Sequence, residues 1–300
     1  MGLERPTLSP AEYLSGERFA SLCDEAYWVP ARAENPAVLR GRDATLIYTH
    51  ADQVFGLFRV LRGLRGRFTV VTAESDHEVT AADFHARPWN VVEWFGMNAT
   101  ARHLGCRVLP LGLANQSCRV TLKPDFLAAL PAGAEKTSWL YVNHRVETNP
   151  AVRQPVYDIF EKHRPEGWVT ISRPLPTGEM GSYPADLAAH RFICCPPGNG
   201  LDTHRMWEAL YAGTIPVVLR NPVTEAFADL PIVLVNNFSE VTLPFLQQRY
   251  DELSRCQFSW EKLALSYWKR EFEASRVRIA RVPRAALIGR WLLRKAGHRN

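Results

Sequence analysis

Residues able to bind an anion and a sugar follow one another between positions 192 and 219, in FICCPPGNGLDTHRMWEALYAGTIPVVL. Gly198 and Gly200 let the backbone turn tightly and let a ligand approach it closely. A helix starting just beyond them would offer unpaired N–H groups and about half a positive charge to an anion. Arg205, within its first turn, could clamp phosphate oxygens, and Glu208, one turn later, could accept hydrogen bonds from a ribose diol. The spacing predicts a diphosphate-and-sugar site; the alternative is an ordinary βαβ crossover with a solvated Arg and Glu.

The elements around these residues form a predicted βαβ unit. An apolar run at 192–195 is typical of a buried strand, and a second follows at 215–219. Asp202 is the predicted N-cap, which makes Thr203 the first helical residue, and Gly213 is the predicted stop. His204 is predicted either to contact phosphate or to pack against Glu208, which lies one turn away.

The string PPGNGLDTHRMWEALYAGTIPVV resembles the nucleotide-sugar signature of exostosin-like glycosyltransferases, family 47 and its bacterial relatives. Its core, EAL-x-AG-x-IPVV, is similar to the donor-domain helix of GT-B glycosyltransferases in general. The resemblance implies that Glu208 binds the donor ribose and that Arg205 binds the diphosphate with the amides around residues 199–203. The predicted donor-binding residues are Arg153, Gly198, Asn199, Gly200, Asp202, Thr203, His204, Arg205 and Glu208.

Two further segments resemble the bacterial exostosin-like group. LYVNHRVETNP at 140–150, followed by Arg153, is similar to the strand, T-N-P and Arg that open its donor domain. WFGMNATARHLGCRVLPLGLAN at 94–115 resembles a stretch with W-F-x-x-N and a later P-x-G-L. The group also has a His-Asn-Ser-Asp-like turn, where this chain reads Ala-Glu-Ser-Asp at 73–76. Asp76 is therefore retained and the histidine is not.

Apolar strands alternate with helical stretches along the whole chain, which predicts parallel sheets with covered faces. Strands are predicted at 45–48, 68–72, 91–95 and 107–109, then at 140–142, 168–171, 192–195, 215–219 and 232–235. LPAGAEK at 130–136 has linker composition. We therefore predict an acceptor-side domain over 1–133 and a donor-binding domain over 134–300 that ends in a basic tail. The resemblance implies an α/β, GT-B-like fold, with two Rossmann-like doubly wound domains facing across a cleft.

Sugar transfer with inversion needs a base for the acceptor hydroxyl and stabilisation of the departing diphosphate. Asp76, in a loop after a strand, is the predicted base and His77 the alternative; Glu78, His50 and Glu93 are weaker candidates by position. In the donor domain Arg153 is either a second cation for phosphate or a solvated helix residue. His144 and Arg145 either line the cleft or belong to a surface loop. No C-x-x-C pair or H-E-x-x-H helix occurs, so no protein-held metal is predicted.

Composition limits the class of protein. With 46% hydrophobic and 22% charged residues, the chain is typical of a globular protein with an ample core. No apolar run is long enough to span a bilayer, and the first residues lack the apolar region of a secretory signal. Six cysteines in 300 residues form no disulfide framework. We therefore predict a cytoplasmic protein.

Positive charge is concentrated in residues 269–300, although the net charge of the chain is only +5. The sub-segment AALIGRWLLRKAG combines arginines with apolar residues and a tryptophan, which is typical of a helix lying on an anionic membrane surface. A solvated basic tail is the alternative. Peripheral contact with the inner face of the membrane is therefore one prediction; nucleic-acid binding is not predicted, because no known module is present.

These observations predict a glycosyltransferase that moves a sugar from a nucleoside-diphosphate sugar, UDP- or GDP-linked, to a glycan or lipid-linked glycan. Its product would serve cell-surface polysaccharide biosynthesis, without a cofactor beyond the donor substrate. Two alternatives remain: a sugar-nucleotide epimerase on the same scaffold, and a non-catalytic binding protein with the same fold. A dehydrogenase is disfavoured, because no G-x-G-x-x-G follows the first strand with an acid about 20 residues later.

Overall fold

The computed structural model of the chain describes residues 7–27, 39–40, 42–115, 130, 135–173 and 181–297. The chain divides into two compact units, each built on a five-stranded sheet. The first-sheet unit comprises Gly16–Pro110 and Leu265–Asn300. The second-sheet unit comprises Met1–Ser15 and Leu111–Ala264. The prediction of two α/β domains with parallel sheets is confirmed; their facing one another across a cleft stays a prediction.

The regular elements alternate between strand and helix. The strands are β1 (Glu25–Tyr27), β2 (Thr45–His50), β3 (Phe68–Ala73), β4 (Val91–Gly96), β5 (Arg107–Val108), β6 (Ser138–Val142), β7 (Val169–Ile171), β8 (His190–Cys194), β9 (Ile215–Leu219) and β10 (Val233–Val235). The α-helices are α1 (Gly16–Ser21), α2 (Val54–Arg62), α3 (Ala81–Ala86), α4 (Pro150–His163), α5 (Tyr183–Ala189), α6 (His204–Tyr211), α7 (Pro222–Glu225), α8 (Leu243–Leu253), α9 (Leu265–Arg281) and α10 (Arg284–Gly297). All predicted strands are present within two residues of their predicted bounds.

The first sheet has the strand order β1-β2-β3-β4-β5, and every neighbouring pair is parallel. Trp94 and Phe95 are successive residues of β4, so their side chains point to opposite faces. Trp94 contacts Phe58 of α2, with ring centroids 5.3 Å apart, whereas Phe95 contacts Phe272 of α9 at 4.9 Å. Crossover helices thus cover one face and a helix from much later in the chain covers the other. Among the described strands, the order in the sheet follows the order in the sequence. This differs from the doubly wound order predicted for this domain. Right-handed crossovers that always advance in one direction place their helices on the same face of the sheet.

The second sheet has the order β10-β9-β8-β6-β7, again with parallel neighbours. Starting from β6, the chain first moves to β7 at one edge, then returns past β6 to β8 and continues to β10. This reversal is that of a doubly wound sheet, as predicted. It creates a switch point between β6 and β8, and open α/β sheets bind ligands beyond the carboxyl ends of the strands at such a point.

The compact units do not follow the predicted division between residues 133 and 134, a boundary that lies outside the described residues. Residues 265–300 were predicted with the donor domain but belong to the first-sheet unit. The reason is the apolar face of α9: Trp268, Phe272 and Ile279 are buried. Within the same contact the hydroxyls of Thr69 and Ser275 lie 2.7 Å apart and are buried. A helix that fills the open face of the first sheet is therefore bound to it by packing.

Candidate functional site

The candidate site lies at the switch point of the second sheet, beyond the carboxyl ends of β6 and β8. After β8 the chain runs through Pro196, Pro197 and Gly198 before α6 begins at His204. The predicted strand, loop, helix and strand are all present, and Gly213, with φ of +70°, ends the helix as predicted. The sequence therefore located this loop and its helix correctly.

Arg153 of α4 holds the loop in place. It is only 5% exposed and donates three hydrogen bonds to backbone carbonyl oxygens: Nε to Pro197 at 3.0 Å, Nη1 to Arg145 at 2.9 Å and Nη2 to Pro196 at 3.4 Å. A side chain at Gly198 would bring a Cβ within 3.0 Å of Arg153 Nη2, so a glycine keeps the loop close to this guanidinium. The alternative of a solvated helix arginine is wrong.

The T-N-P segment supports the same loop. Asn149, at the start of α4, donates a hydrogen bond from Nδ2 to the carbonyl oxygen of Gly198 at 2.8 Å. Asn199 is exposed and Gly200 is buried, so the chain turns outward and back again before the helix. The two separate motifs in the sequence thus meet in one structure, with the start of α4 binding the loop before α6.

His144, two residues after β6, is buried, and one of its ring nitrogens has no hydrogen-bond partner among the described residues. Its Nε2 lies 3.1 Å from the carbonyl oxygen of Arg153, while Nδ1 is buried and makes no hydrogen bond. Because a carbonyl oxygen only accepts, Nε2 carries the proton and Nδ1 is an acceptor. Burial, and then the positive charge of Arg205, lower the pKa of His144 to about 4, so the ring is neutral near pH 7. The surface-loop alternative for His144 is wrong.

Arg205 is the cation of the site that has no anionic partner. It is partly buried, its Nε is shielded from solvent without a hydrogen bond, and no described carboxylate forms an ion pair with it. Burial, and then the charge of Arg205, lower the pKa of Arg153 to about 10, which shows that the two cations lie near each other. Thr203, the N-cap of α6, has a buried Oγ1 that also lacks a partner. At the start of α6 the Thr203 amide donates to Asp202 at 2.7 Å, whereas Thr203 Oγ1 and Arg205 Nε have no hydrogen-bond partner among the described residues.

Asp202 and His204 both contact the segment at 111–112, and their binding of a donor stays a prediction. Thr203, rather than Asp202, is the N-cap residue. Asp202 is buried and accepts hydrogen bonds from the Leu111 amide at 3.0 Å and from Trp207 Nε1 at 2.7 Å. Burial raises its pKa to about 6. His204 Nδ1 lies 2.8 Å from the carbonyl oxygen of Gly112. Both side chains therefore tie the segment at 111–112 to the start of α6.

Glu208 is buried, which contradicts its prediction as an accessible carboxylate. It is 3% exposed, and its Oε2 accepts a hydrogen bond from the hydroxyl of Tyr183 at 2.6 Å. Burial, and then the Glu208 charge, raise the pKa of Tyr183, so the phenol keeps the proton that it donates. A tyrosine 25 residues earlier on α5 gave no signal of this contact in the sequence.

The predicted catalytic residues lie in the loop after β3 of the first sheet. Asp76 is exposed. His77 is partly buried, and its Nε2 lies 3.4 Å from Oδ2 of Asp83, which also forms a capping box with Thr80 at the start of α3. The capping residues T-x-x-D at 80–83 were the overlooked sequence signal for α3. Asp76 and His77 as catalytic groups stay predictions.

The weaker candidates of the first sheet all have partners. Glu78 accepts a hydrogen bond from the hydroxyl of Thr100 at 2.7 Å. Glu93 accepts two from Arg278, at 2.7 and 2.8 Å. His50 Nε2 lies 3.0 Å from Glu74, which accepts a hydrogen bond from the Tyr48 hydroxyl at 2.8 Å. The pair formed by His50 and Glu74 was missed, because its members follow different strands.

Comparisons with known proteins give only distant structural likenesses. No protein-family model matches the chain, and no curated protein matches it in sequence. Among solved structures, the GtfA/B complex is 12% identical over 78% of this chain, with a TM-score of 0.44, and this chain spans 58% of that one. A UDP-forming α,α-trehalose-phosphate synthase from Burkholderia vietnamiensis is 11% identical over 80% of this chain and 75% of its own, with a TM-score of 0.45. The OtsA apo structure is 13% identical over 79% and 73%, also with a TM-score of 0.45.

Proposed function

We propose that the protein is a glycosyltransferase whose second-sheet unit binds the diphosphate of a nucleoside-diphosphate sugar. The observation that carries this proposal is Arg205, a partly buried cation beside Arg153 with no ion-paired carboxylate in the described part of the chain. Bringing two like charges together out of water costs free energy. A diphosphate, which carries negative charge on each phosphoryl group, would offset that cost on binding.

The groups around Arg205 could bind both the diphosphate of such a ligand and a hydroxyl or amide group elsewhere on it. The N-terminus of α6 supplies N–H groups and partial positive charge, and Arg205 adds a fork of donors from within the first turn. Arg153, whose donors hold carbonyl oxygens of the loop, shapes the site and contributes charge at a distance. His144 Nδ1, a neutral and unpartnered acceptor, would receive a hydrogen bond from a hydroxyl or amide of the ligand.

In this proposal Glu208 is not ready to accept hydrogen bonds from ribose hydroxyls, because it already accepts one from Tyr183. Its bond from Tyr183 must be broken or shared before ribose hydroxyls can reach the carboxylate. Without that movement, Glu208 fixes α5 against α6 and places a negative charge near Arg205. His144 is then the better placed acceptor for a ligand hydroxyl.

In the proposed reaction the acceptor oxygen forms a bond to the anomeric carbon while the bond from that carbon to the diphosphate oxygen breaks. The acceptor proton passes to a base, and the diphosphate leaves with the electron pair. Arg205 and the helix N-terminus would stabilise the charge that develops on the leaving group, which is where preorganised donors lower a barrier most. Asp76, exposed after β3, is the proposed base, with His77 as the alternative. Inversion, independence of metal, a glycan or lipid-linked acceptor and a cytoplasmic location belong to the same proposal.

Binding to a panel of UDP, GDP, UMP and inorganic pyrophosphate, measured by calorimetry, tests the anion site. We expect a nucleoside diphosphate to bind, and Arg205→Gln to weaken it about a hundredfold, since hydrogen bonds to charged groups contribute up to about 3 kcal/mol. Arg220→Gln is the matched control, because Arg220 is an exposed arginine of the same unit that pairs with Glu225 at 3.2 Å. No heat with any diphosphate, or equal loss in both variants, would contradict the proposal.

Turnover separates the proposed function from its alternatives. The purified protein is incubated with UDP- and GDP-hexoses, with and without a mixture of oligosaccharide acceptors, and the release of nucleoside diphosphate is measured. Acceptor-stimulated release supports a transferase. Conversion of one sugar nucleotide into another without acceptor would indicate an epimerase, and binding without either reaction would indicate a binding protein.

A further inference from the structure

Exposed apolar side chains are concentrated on α10. Among the described residues, the large hydrophobic side chains that are exposed are Phe55, Val277, Ile288, Leu292 and Leu293. Three of these five lie within six consecutive residues of α10, and Leu293 is 75% exposed, the highest value of the set. Single exposed apolar residues are ordinary on a protein surface, but a contiguous group on one helix indicates a contact.

The helical geometry places this group on one side of α10. Successive residues of an α-helix are about 100° apart, so Ile288, Leu292 and Leu293 occupy an arc of about 140°. Leu287 points away from that arc and is 8% exposed, which shows that the opposite side of the helix packs against the protein. We call the exposed arc formed by Ile288, Leu292 and Leu293 the apolar face of α10. Helix α10 therefore has apolar residues both on the side that packs against the protein and on the exposed side.

Cations border the apolar face. On the helical projection Arg284 lies about 40° before Ile288, and Arg290 lies about 60° beyond Leu293. Arg284 is 3.4 Å from Asp43, whereas Arg290 is exposed and forms no ion pair with the part of the chain that the structure describes. From residue 274 to residue 300 the sequence contains no Asp or Glu; its basic residues there are Arg276, Arg278, Arg281, Arg284, Arg290, Arg294, Lys295 and Arg299. A partner for this face must therefore tolerate a dense positive charge around an apolar centre.

We propose that α10 lies flat on the surface of an anionic lipid bilayer, with its apolar face among the acyl chains and its arginines at the headgroups. Apolar residues bordered by cations are the arrangement that binds interfaces, since hydrophobic burial and attraction to anionic lipid add together. No described helix is long and apolar enough to cross a membrane, and α10 has 14 residues. The contact is therefore made along the side of the helix. This inference stands independently of the proposed sugar transfer.

Vesicle co-sedimentation of the purified full chain tests the proposal. Vesicles of phosphatidylcholine alone are compared with an equimolar mixture of phosphatidylcholine and phosphatidylglycerol. We expect binding to the anionic vesicles, weakened by salt, and at least about tenfold weaker binding to the neutral ones, because each arginine near an anionic surface contributes a severalfold gain. Failure to bind anionic vesicles, or equal binding to both kinds, would overturn the proposal.

Two variants and a matched control assign the binding to the apolar face. Leu292→Gln combined with Leu293→Gln should lower the partition constant at least about tenfold, since each side chain loses its burial in lipid. Arg290→Gln should lower it about fivefold. Phe55→Gln is the control, because Phe55 on α2 has the same 41% exposure as Ile288 and should leave binding unchanged. Equal losses in the control and the double variant would show that the face has no special role.

Other occupants of the face give distinct results. Analytical ultracentrifugation without lipid measures self-association: a dimer that the double Leu variant dissociates would assign the face to a second copy of the chain and overturn the proposal. Preference for an RNA over anionic vesicles at equal ionic strength would overturn it as well. Monomeric wild-type protein that binds anionic vesicles through Leu292 and Leu293 would establish it.

Discussion

The carboxyl edges of the two sheets differ in whether their charged side chains are paired. In the first-sheet unit, His50 at the carboxyl end of β2 lies 3.0 Å from Glu74, which directly follows β3. In the second-sheet unit, Arg205 has no ion-paired carboxylate among the described residues, and Nδ1 of the buried His144 has no partner. The histidine at the end of β2 is thus paired with a carboxylate within the protein, whereas Arg205 of α6 forms no ion pair with a described carboxylate.

This contrast indicates where buried polar groups without partners lower the stability of the folded protein. Buried polar groups are nearly always hydrogen-bonded, so each exception has to be explained. Three of these exceptions, on His144, Thr203 and Arg205, lie in the segments that follow β6 and β8, at the switch point where such sheets bind ligands. Others, such as Thr49 Oγ1 of β2, lie in the first-sheet unit. Under the proposed function, a bound diphosphate would stabilise the second edge, whereas the ion pair at the first edge needs no ligand. The following predictions test that difference, beginning with the largest.

Arg153→Ala should be the most destabilising of these changes. It removes three donated hydrogen bonds, one to the buried carbonyl oxygen of Pro196 and two to the partly buried ones of Pro197 and Arg145, at a cost of about 3–4 kcal/mol. Urea unfolding gives the free energy of unfolding. Arg220→Ala, which breaks an exposed ion pair, serves as the reference and should cost less than about 1 kcal/mol. Similar losses in both variants would show that Arg153 does not organise the loop.

His144→Gln should remove part of the pH dependence of stability. The folded pKa of about 4 lies below the unfolded value of 6.5, so the unfolded state binds the proton more readily. The contribution is therefore complete above pH 6.5 and is lost as the pH falls towards 4. Between pH 7 and pH 5 the wild type should lose about 2 kcal/mol that the variant keeps.

The measurement for His144 is the difference between the two proteins in urea unfolding at each pH. Asp202 acts in the opposite direction, because its folded pKa of about 6 is raised by burial and its contribution falls as the pH rises from 4 to 6. It is present in both proteins and cancels in the difference. Parallel pH profiles of the two proteins would contradict a buried, neutral His144.

Arg205→Met should stabilise the ligand-free protein by about 1 kcal/mol, the reverse of the effect at Arg153. Replacing Arg205 by an apolar side chain of similar length removes its desolvation cost and its repulsion with Arg153, which together exceed the attraction lost to Glu208. Thermal denaturation without ligand provides the measurement, with the wild type scanned in parallel. A clear loss of stability would mean that Arg205 is a structural cation, and the contrast between the two edges would fail.

The smallest effect is expected at the ion pair between Glu93 and Arg278. A double-mutant cycle with Glu93→Gln and Arg278→Gln should give a coupling energy of about 0.5–1 kcal/mol, because Arg278 remains partly exposed and water screens the pair. The coupling should decrease at high salt. A coupling of several kcal/mol would show that the first-sheet unit also depends on desolvated charge.

The sequence predicted the second sheet better than the first. Apolar runs such as 215–219 are buried on both faces and bounded by Gly or Pro, so their pattern is unambiguous. The three-residue strand β1, Glu25–Tyr27, carries too few residues for any period and was missed. The assignment of α9 to the first sheet could not be predicted, because helical periodicity shows that a face is apolar but not which surface it covers.

Site residues were predicted as a group but not in their individual roles. The loop, helix and nearby arginine were recognised from local spacing, which is set within a few residues. The contacts of Glu208 with Tyr183 and of His204 with Gly112 join residues 25 and 92 positions apart, respectively. Such partners are selected by tertiary packing, so the sequence predicted neither of them; it assigned Glu208 to a ribose and left His204 between a phosphate and Glu208.

Helix α9 follows the second sheet in the sequence but packs on the first sheet, which affects folding during synthesis. During synthesis the surface of the first sheet around Phe95 leaves the ribosome about 180 residues before Phe272, the aromatic residue that covers it. All strands of the second sheet are translated in this interval. The second-sheet unit can therefore fold while the first sheet still exposes a hydrophobic surface that chaperones can bind. Nascent chains arrested before residue 265 should therefore recruit more chaperone than released ones.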